Sequence, residues 1–156
     1  MATRRNYQRQ TTAKEDSPLH VLPYAEKLID YTLDLTDNTK HFPKKIRFTI
    51  VNRVQDHALS IYENLLAANE VFPIRSEEDR IKRLSLQRSA LTSCKTLLFF
   101  VELSKKRGYI DAGSFAAWSK MILDVKFMTA AWYKAEQNGA PTKKAEAPTQ
   151  EPKPEG

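Results

Sequence analysis

The sequence predicts an all-α protein, an antiparallel four-helix bundle flanked by two polar tails, and three observations carry that prediction. Apolar residues recur at three- and four-residue steps over four long segments, which is the period of a helix face. Only 4 glycines occur among 156 residues, too few for a loop-rich sandwich or a glycine-cradled nucleotide site. The segments are joined by short turn-like stretches, which favour antiparallel neighbours. No internal repeat suggests a solenoid.

The first helix is expected over residues 18–37. Tyr24, Leu28, Tyr31 and Leu35 form its apolar face, and Glu26, Asp30 and Asp34 line up at four-residue intervals on another. The second is expected over 43–69, opening at Pro43, because proline is tolerated where a helical N–H has no partner anyway. Its stripe runs through Ile46, Ile50, Val54, His57, Ile61 and Leu65, flanked by Val51. The third, 76–107, starts on a cap hydroxyl at Ser76 followed by Glu77, Glu78 and Asp79. Ile81, Leu84, Leu91, Leu98 and Val101 are its expected core residues. It stops at Lys105-Lys106-Arg107-Gly108, cations suited to the negative helix end and a glycine suited to the left-handed residue beyond it. Asp111 caps the fourth helix, 111–137, whose Phe115, Trp118, Ile122, Val125, Thr129 and Trp132 share a face.

These helices make up one domain, residues 18–139. Residues 1–17 read as a flexible basic tail with Arg4, Arg5, Arg9 and Lys14 against Glu15 and Asp16. Residues 140–156, rich in Pro, Lys and Glu, read as disordered because they lack the apolar surface folding requires. The net charge is +6, of which the domain keeps +4, with 18 basic residues against 14 acidic. A pI near 9.4 fits a polyanionic partner. No signal-like h-region or membrane-length apolar run is present, so a cytoplasmic protein without membrane association is expected.

Few catalytic arrangements survive inspection. His20, His41 and His57 are scattered, and no Glu-x-x-His supplies ligands to a bundle core, so no metal or cofactor is expected. His57 lies on an apolar stripe and reads as a packed, hydrogen-bonded histidine. The Glu26/Asp30/Asp34 row has no nucleophile near it and reads as a solvated or salt-bridged face. Cys94, the single cysteine, reads as a buried, inert thiol. Trp118 and Trp132 stand at core spacing, which makes them packing residues rather than stacking platforms. A non-enzymatic role is expected.

The cations are the distinctive feature. Lys44, Lys45 and Arg47 crowd the opening turn of the second helix, where each opposes the macrodipole by roughly 0.3–1 kcal/mol when exposed. Arg53 follows, and the third helix adds Arg80, Arg83, Arg88 and Lys95. Arginine forks suit phosphate, and a helix N-terminus already favours anions. The alternative is internal pairing, for instance from Asp34 or Asp37 to Arg47, or from the acidic row to the arginines.

The stretches FPKKIRFTIVNRVQDHALSIYENLLAA, KKRGYIDAGSF and KFMTAAWYK resemble the accessory variability determinant proteins of diversity-generating retroelements. The resemblance spans about residues 20–136, and Phe42-Pro43-Lys44, Arg47-Phe48-Thr49 and Asn52-Arg53 are its most specific part. It implies a basic homopentamer of four-helix protomers, a non-catalytic partner of a reverse transcriptase that contacts template-repeat RNA or DNA during mutagenic cDNA synthesis. A related branch, encoded in intervening sequences of large-subunit rRNA genes, implies the alternative of a structural oligomeric adaptor that binds a protein.

Overall fold

The computed structural model describes residues 20–139, and the two expected tails lie outside them. Four long helices account for nearly all of this span: α1 Val21–Thr36, α2 Asn52–Glu70, α3 Glu77–Lys106 and α4 Ala112–Gln137. Each packs against the next, and α4 returns to α1, closing a four-helix bundle with no strand among the described residues. No helix is long and apolar enough to cross a membrane. α2 itself begins at Asn52, beyond the expected opening at Pro43.

Local chemistry explains the ends. Ser76 accepts from the Asp79 N–H at 3.1 Å, and the Asp79 carboxylate reaches back to the Arg75 N–H at 2.9 Å. Asp111 accepts from the Ser114 N–H at 2.7 Å to start α4. At the end of α3, Gly108 takes a φ of 77°. The Gly108 and Tyr109 N–H groups then donate to the Lys105 and Ser104 carbonyls, which satisfies two orphan acceptors of the last turn. A side chain with a Cβ is strained at that φ, so the glycine is required there.

The start of the second helix departs from regularity. Lys44–Ile46 form a 3₁₀ turn and Arg47–Val51 a π turn, in which the Asn52 N–H reaches the Arg47 carbonyl, before α2 settles into α geometry. Pro43, with ψ of 149°, stands just outside the helix rather than inside its first turn. The π turn inserts one extra residue into the repeat. The core face therefore passes through Ile46, Val51, Val54, Ala58, Ile61, Leu65 and Ala68. Ile50 and His57, expected on that face, are shifted to its flank and are only half-buried.

A second rotation occurs in α3, whose innermost residues are Arg83, Gln87, Ala90, Cys94, Leu97, Val101 and Ser104. These keep a strict three-and-four spacing, yet they are polar or small at five of seven positions. The expected Leu84, Leu91 and Leu98 lie on the flank, and Ile81 is 59% exposed. Similarly, α1 buries Ala25, Leu28, Thr32 and Thr36, while Tyr24 faces outward.

The polar core groups are mostly satisfied. The Trp118 indole N–H donates to Thr32 Oγ1 at 3.0 Å, and the Thr36, Ser104 and Thr129 hydroxyls donate to carbonyls four residues earlier at 2.7 Å. Gln87 is the exception: it is fully buried, and neither amide atom has a hydrogen-bond partner among the described residues. Phe42 wedges between Tyr109, at 5.6 Å between ring centroids, and Trp118, at 6.5 Å. That cluster locks the α1–α2 connection onto the α3–α4 turn and defines one end of the bundle.

Candidate nucleic-acid interface

The eight cations singled out in the sequence divide into three groups. Lys44, Lys45, Arg47 and Arg53 are exposed at the bundle end marked by Phe42, and none lies within 4 Å of a described carboxylate. Arg88 and Lys95 are also exposed and without a described ion pair, but they lie elsewhere on α3. His57 stacks against Phe100 at 5.8 Å, which fixes the α2–α3 register. Counting helical rise from that contact, Arg88 lies about 24 Å along the bundle axis from Arg53.

Arg83 is withdrawn into the bundle, which corrects its reading as a contact residue, and Arg80 is half-buried and paired beside it. Arg83 is 4% exposed at the opposite end of the bundle. Its Nη1 pairs with Glu136 Oε1, Nε donates to the Ala68 carbonyl at 3.2 Å, and Nη2 donates to the Val71 carbonyl. The guanidinium also lies 5.7 Å from the Trp132 ring centroid. Arg80 Nη1 reaches the Glu136 carbonyl at 3.0 Å and its carboxylate at 3.4 Å. One buried arginine thus caps the end of α2, and both arginines hold the end of α4 against α3. Sequence reading missed Glu136. Its signal was position: a carboxylate in the last turn of α4 opposes that helix's dipole and is met by two arginines from the start of α3.

The cations at the start of the second helix have no such partner. The expected alternative, Asp34 or Asp37 pairing with Arg47, is not realised. Asp37 instead accepts from Gln55 Nε2 at 2.9 Å, and the same nitrogen donates to Thr36 Oγ1 at 2.9 Å. These groups lie in a shallow cleft with Lys44, Arg47 and Asn52 around it. From Lys40 to Gln55 the chain contains five lysines and arginines and no carboxylate. Glu26, Asp30 and Asp34 stay exposed on α1, with no ion pair among the described residues.

The remaining candidates for chemistry are packed or solvated. Cys94 is fully buried, and burial pushes its thiol up to about 12, so it is no nucleophile in the folded protein. Trp118 is fully buried and Trp132 half-buried. His57 packs on Phe100, but no hydrogen bond to its ring is present among the described residues, so the hydrogen-bonded part of that expectation is not met. No group of three His, Cys, Asp or Glu among the described residues could hold a metal ion.

A separate open groove runs along α3 and α4, lined by Ile81, Leu84, Arg88, Thr92 and Tyr133. It follows from the rotation of α3, which leaves part of its apolar set outside the core. No protein-family model, curated protein or solved structure matches the chain.

Proposed function

We propose that this chain is a non-catalytic nucleic-acid-binding accessory protein that works beside a retroelement reverse transcriptase on its template RNA or the cDNA made from it. The observation that carries the reading is the carboxylate-free run from Lys40 to Gln55, whose exposed Lys44, Lys45, Arg47 and Arg53 lack internal partners among the described residues. Cations opposing a helix dipole are unfavourable in the isolated fold, and whereas Arg80 and Arg83 at the other end are paired with Glu136, these four are not paired among the described residues. A phosphate backbone supplies the missing anions at the first site, with affinity set by counterion release. The partnership with a reverse transcriptase rests on the resemblance of Phe42-Pro43-Lys44 and Arg47-Phe48-Thr49.

The test is binding of a labelled 20-nucleotide RNA by the full chain at low salt. Changing Lys44, Lys45, Arg47 and Arg53 together to alanine should weaken binding at least tenfold while the helix content is kept. Changing Arg88 and Lys95 should have a smaller effect. Unchanged binding by the folded quadruple variant would refute the reading.

A second reading, an oligomeric adaptor, is favoured by one observation. Ile81, Phe99 and Phe127 are each more than half exposed, and Ile81 lines the groove with Leu84 and Tyr133. Apolar surface of this kind suits contacts between copies, as in the homopentamer the resemblance implies. The two readings are compatible if assembly uses α3 and α4 and binding uses the start of the second helix. Sedimentation velocity on Ile81→Ser and Phe127→Ser variants separates them: assembly through this face predicts a loss of mass without a loss of fold.

A further inference from the structure

Phe48 is 80% exposed, the most exposed large hydrophobic side chain among the described residues. It belongs neither to the core nor to the shell packed against the core. Its position is specific. Arg47 precedes it, Lys44 and Lys45 lie one turn before, and Asn52 and Arg53 lie one π or α turn after. The most exposed aromatic ring therefore sits in the middle of the carboxylate-free cationic run. The fold's other exposed phenylalanines lack that setting: Phe72 follows Glu70 at the end of α2, Phe127 follows Asp124 and Lys126 on α4, and Phe99 has Glu102 beside it on α3.

We infer that Phe48 is a stacking platform for an unpaired base, so that this surface takes single-stranded nucleic acid in preference to duplex. The inference rests on the nucleic-acid reading above and adds the state of the strand. Charge selects the occupant. A two-fold contact between copies through this face would bring two sets of Lys44, Lys45, Arg47 and Arg53 together, whereas a single strand offers phosphates to the cations and a flat apolar base to the ring. Base–aromatic stacking is indifferent to base identity and unavailable inside a duplex, because bases there already stack on each other. The π turn contributes by placing Ile46 and Val51, five residues apart, both on the core, which leaves Phe48 directed outward between them.

The experiment uses the full chain and four labelled probes at one salt concentration: a 20-nucleotide RNA without secondary structure, the same sequence as DNA, a DNA strand of equal length made of abasic residues, and the 20-base-pair duplex. The wild-type protein should bind the base-bearing strands more tightly than the abasic strand. Phe48→Ala should weaken binding to the RNA and DNA strands about 5- to 150-fold, the span that one stacked base supplies. It should leave abasic and duplex affinities within about twofold. Phe48→Trp should restore the loss, and Phe127→Ala should leave all four affinities unchanged. Equal weakening on abasic and base-bearing strands, or no weakening, overturns the stacking role while leaving the phosphate surface intact. A drop in sedimentation mass caused by Phe48→Ala reassigns the ring to a contact between copies and also overturns it. If the wild-type protein binds no probe, the nucleic-acid reading itself fails, an outcome distinct from the others.

Discussion

Replacing Arg83 by methionine isolates the most concentrated polar contact in the bundle. The substitution keeps an unbranched stem but removes the charge and every guanidinium donor. The Glu136 carboxylate, on a side chain 8% exposed, then keeps only the 3.4 Å contact to Arg80. The Ala68 and Val71 carbonyls lose their donors at the end of α2. Removing one partner of a buried pair costs about 3–5 kcal/mol, because the remaining charge stays desolvated. The surviving Arg80 contact points to the lower half of that range. Replacing both members, Arg83→Met with Glu136→Leu, removes the stranded carboxylate and should recover most of the loss. Urea denaturation followed by far-UV circular dichroism, at fixed protein concentration, reads both. With a slope near 1.5–2 kcal/mol per molar urea, the single variant should lower the midpoint by roughly 2 M. The double variant should lie well above the single one. A single-variant loss under about 1 kcal/mol would refute the argument, since that is the cost expected of an exposed arginine.

Three further outcomes follow from individual residues. Gln87→Leu removes a buried amide with no described partner from the inner face of α3, and should stabilise the fold by about 1–2 kcal/mol in the same urea assay; destabilisation would show that the amide is satisfied. The Asp111 carboxyl is held below its ordinary value chiefly by the Ser114 N–H it caps. Its contribution is therefore complete above the unfolded value near 4 and disappears as pH falls through the lower folded value. The melting-temperature gap between wild type and Asp111→Ala should accordingly stay constant above about pH 5 and narrow below pH 4, and a gap constant down to pH 2.5 would contradict the cap. Cys94 should resist iodoacetamide in the native protein at pH 8.5 and react fully in 6 M guanidinium, whereas rapid native labelling would contradict its burial.

How far the sequence carried depended on how local the determining chemistry was. Ser76, Gly108 and Asp111 act on backbone groups within four residues, so the ends of α3 and the start of α4 are readable directly. The α4 face was also readable, because Trp118, Ile122 and Val125 are large, apolar and regularly spaced. The start of the α2 face departs at the step from Ile46 to Val51, where a π turn adds a residue and periodicity alone carries no mark of it, while Val54, Ile61 and Leu65 lie in the core as expected. The α3 face was misplaced because its inner positions hold Arg83, Gln87, Cys94 and Ser104, polar or small side chains that carry little hydrophobic signal, and Arg83 draws its partners from α2 and α4. Leu84, Leu91 and Leu98 are more hydrophobic, but they fall on the flank.

The same distinction divides the candidate site. Lys44, Lys45 and Arg47 were readable as anomalous because they stand at the wrong end of a helix dipole, and the structure leaves them and Arg53 exposed. Arg80 and Arg83 looked equivalent in sequence, yet the residue that claims them lies more than fifty positions away at Glu136. Phe48 stood outside the expected stripe and entered only as part of the resemblance, because periodicity does not say whether an off-stripe ring is covered or exposed.

The central claim is that the start of the second helix is a phosphate surface, and the dependence of affinity on salt tests it most directly. Affinity of the full chain for a 20-nucleotide single strand, measured from 50 to 300 mM salt, should fall linearly on logarithmic axes. If Lys44, Lys45, Arg47 and Arg53 each neutralise one phosphate, changing all four to alanine should flatten the slope by about 3, at about 0.7 per contact. A slope that is flat in the wild-type protein, or unchanged in the folded quadruple variant, would contradict the account.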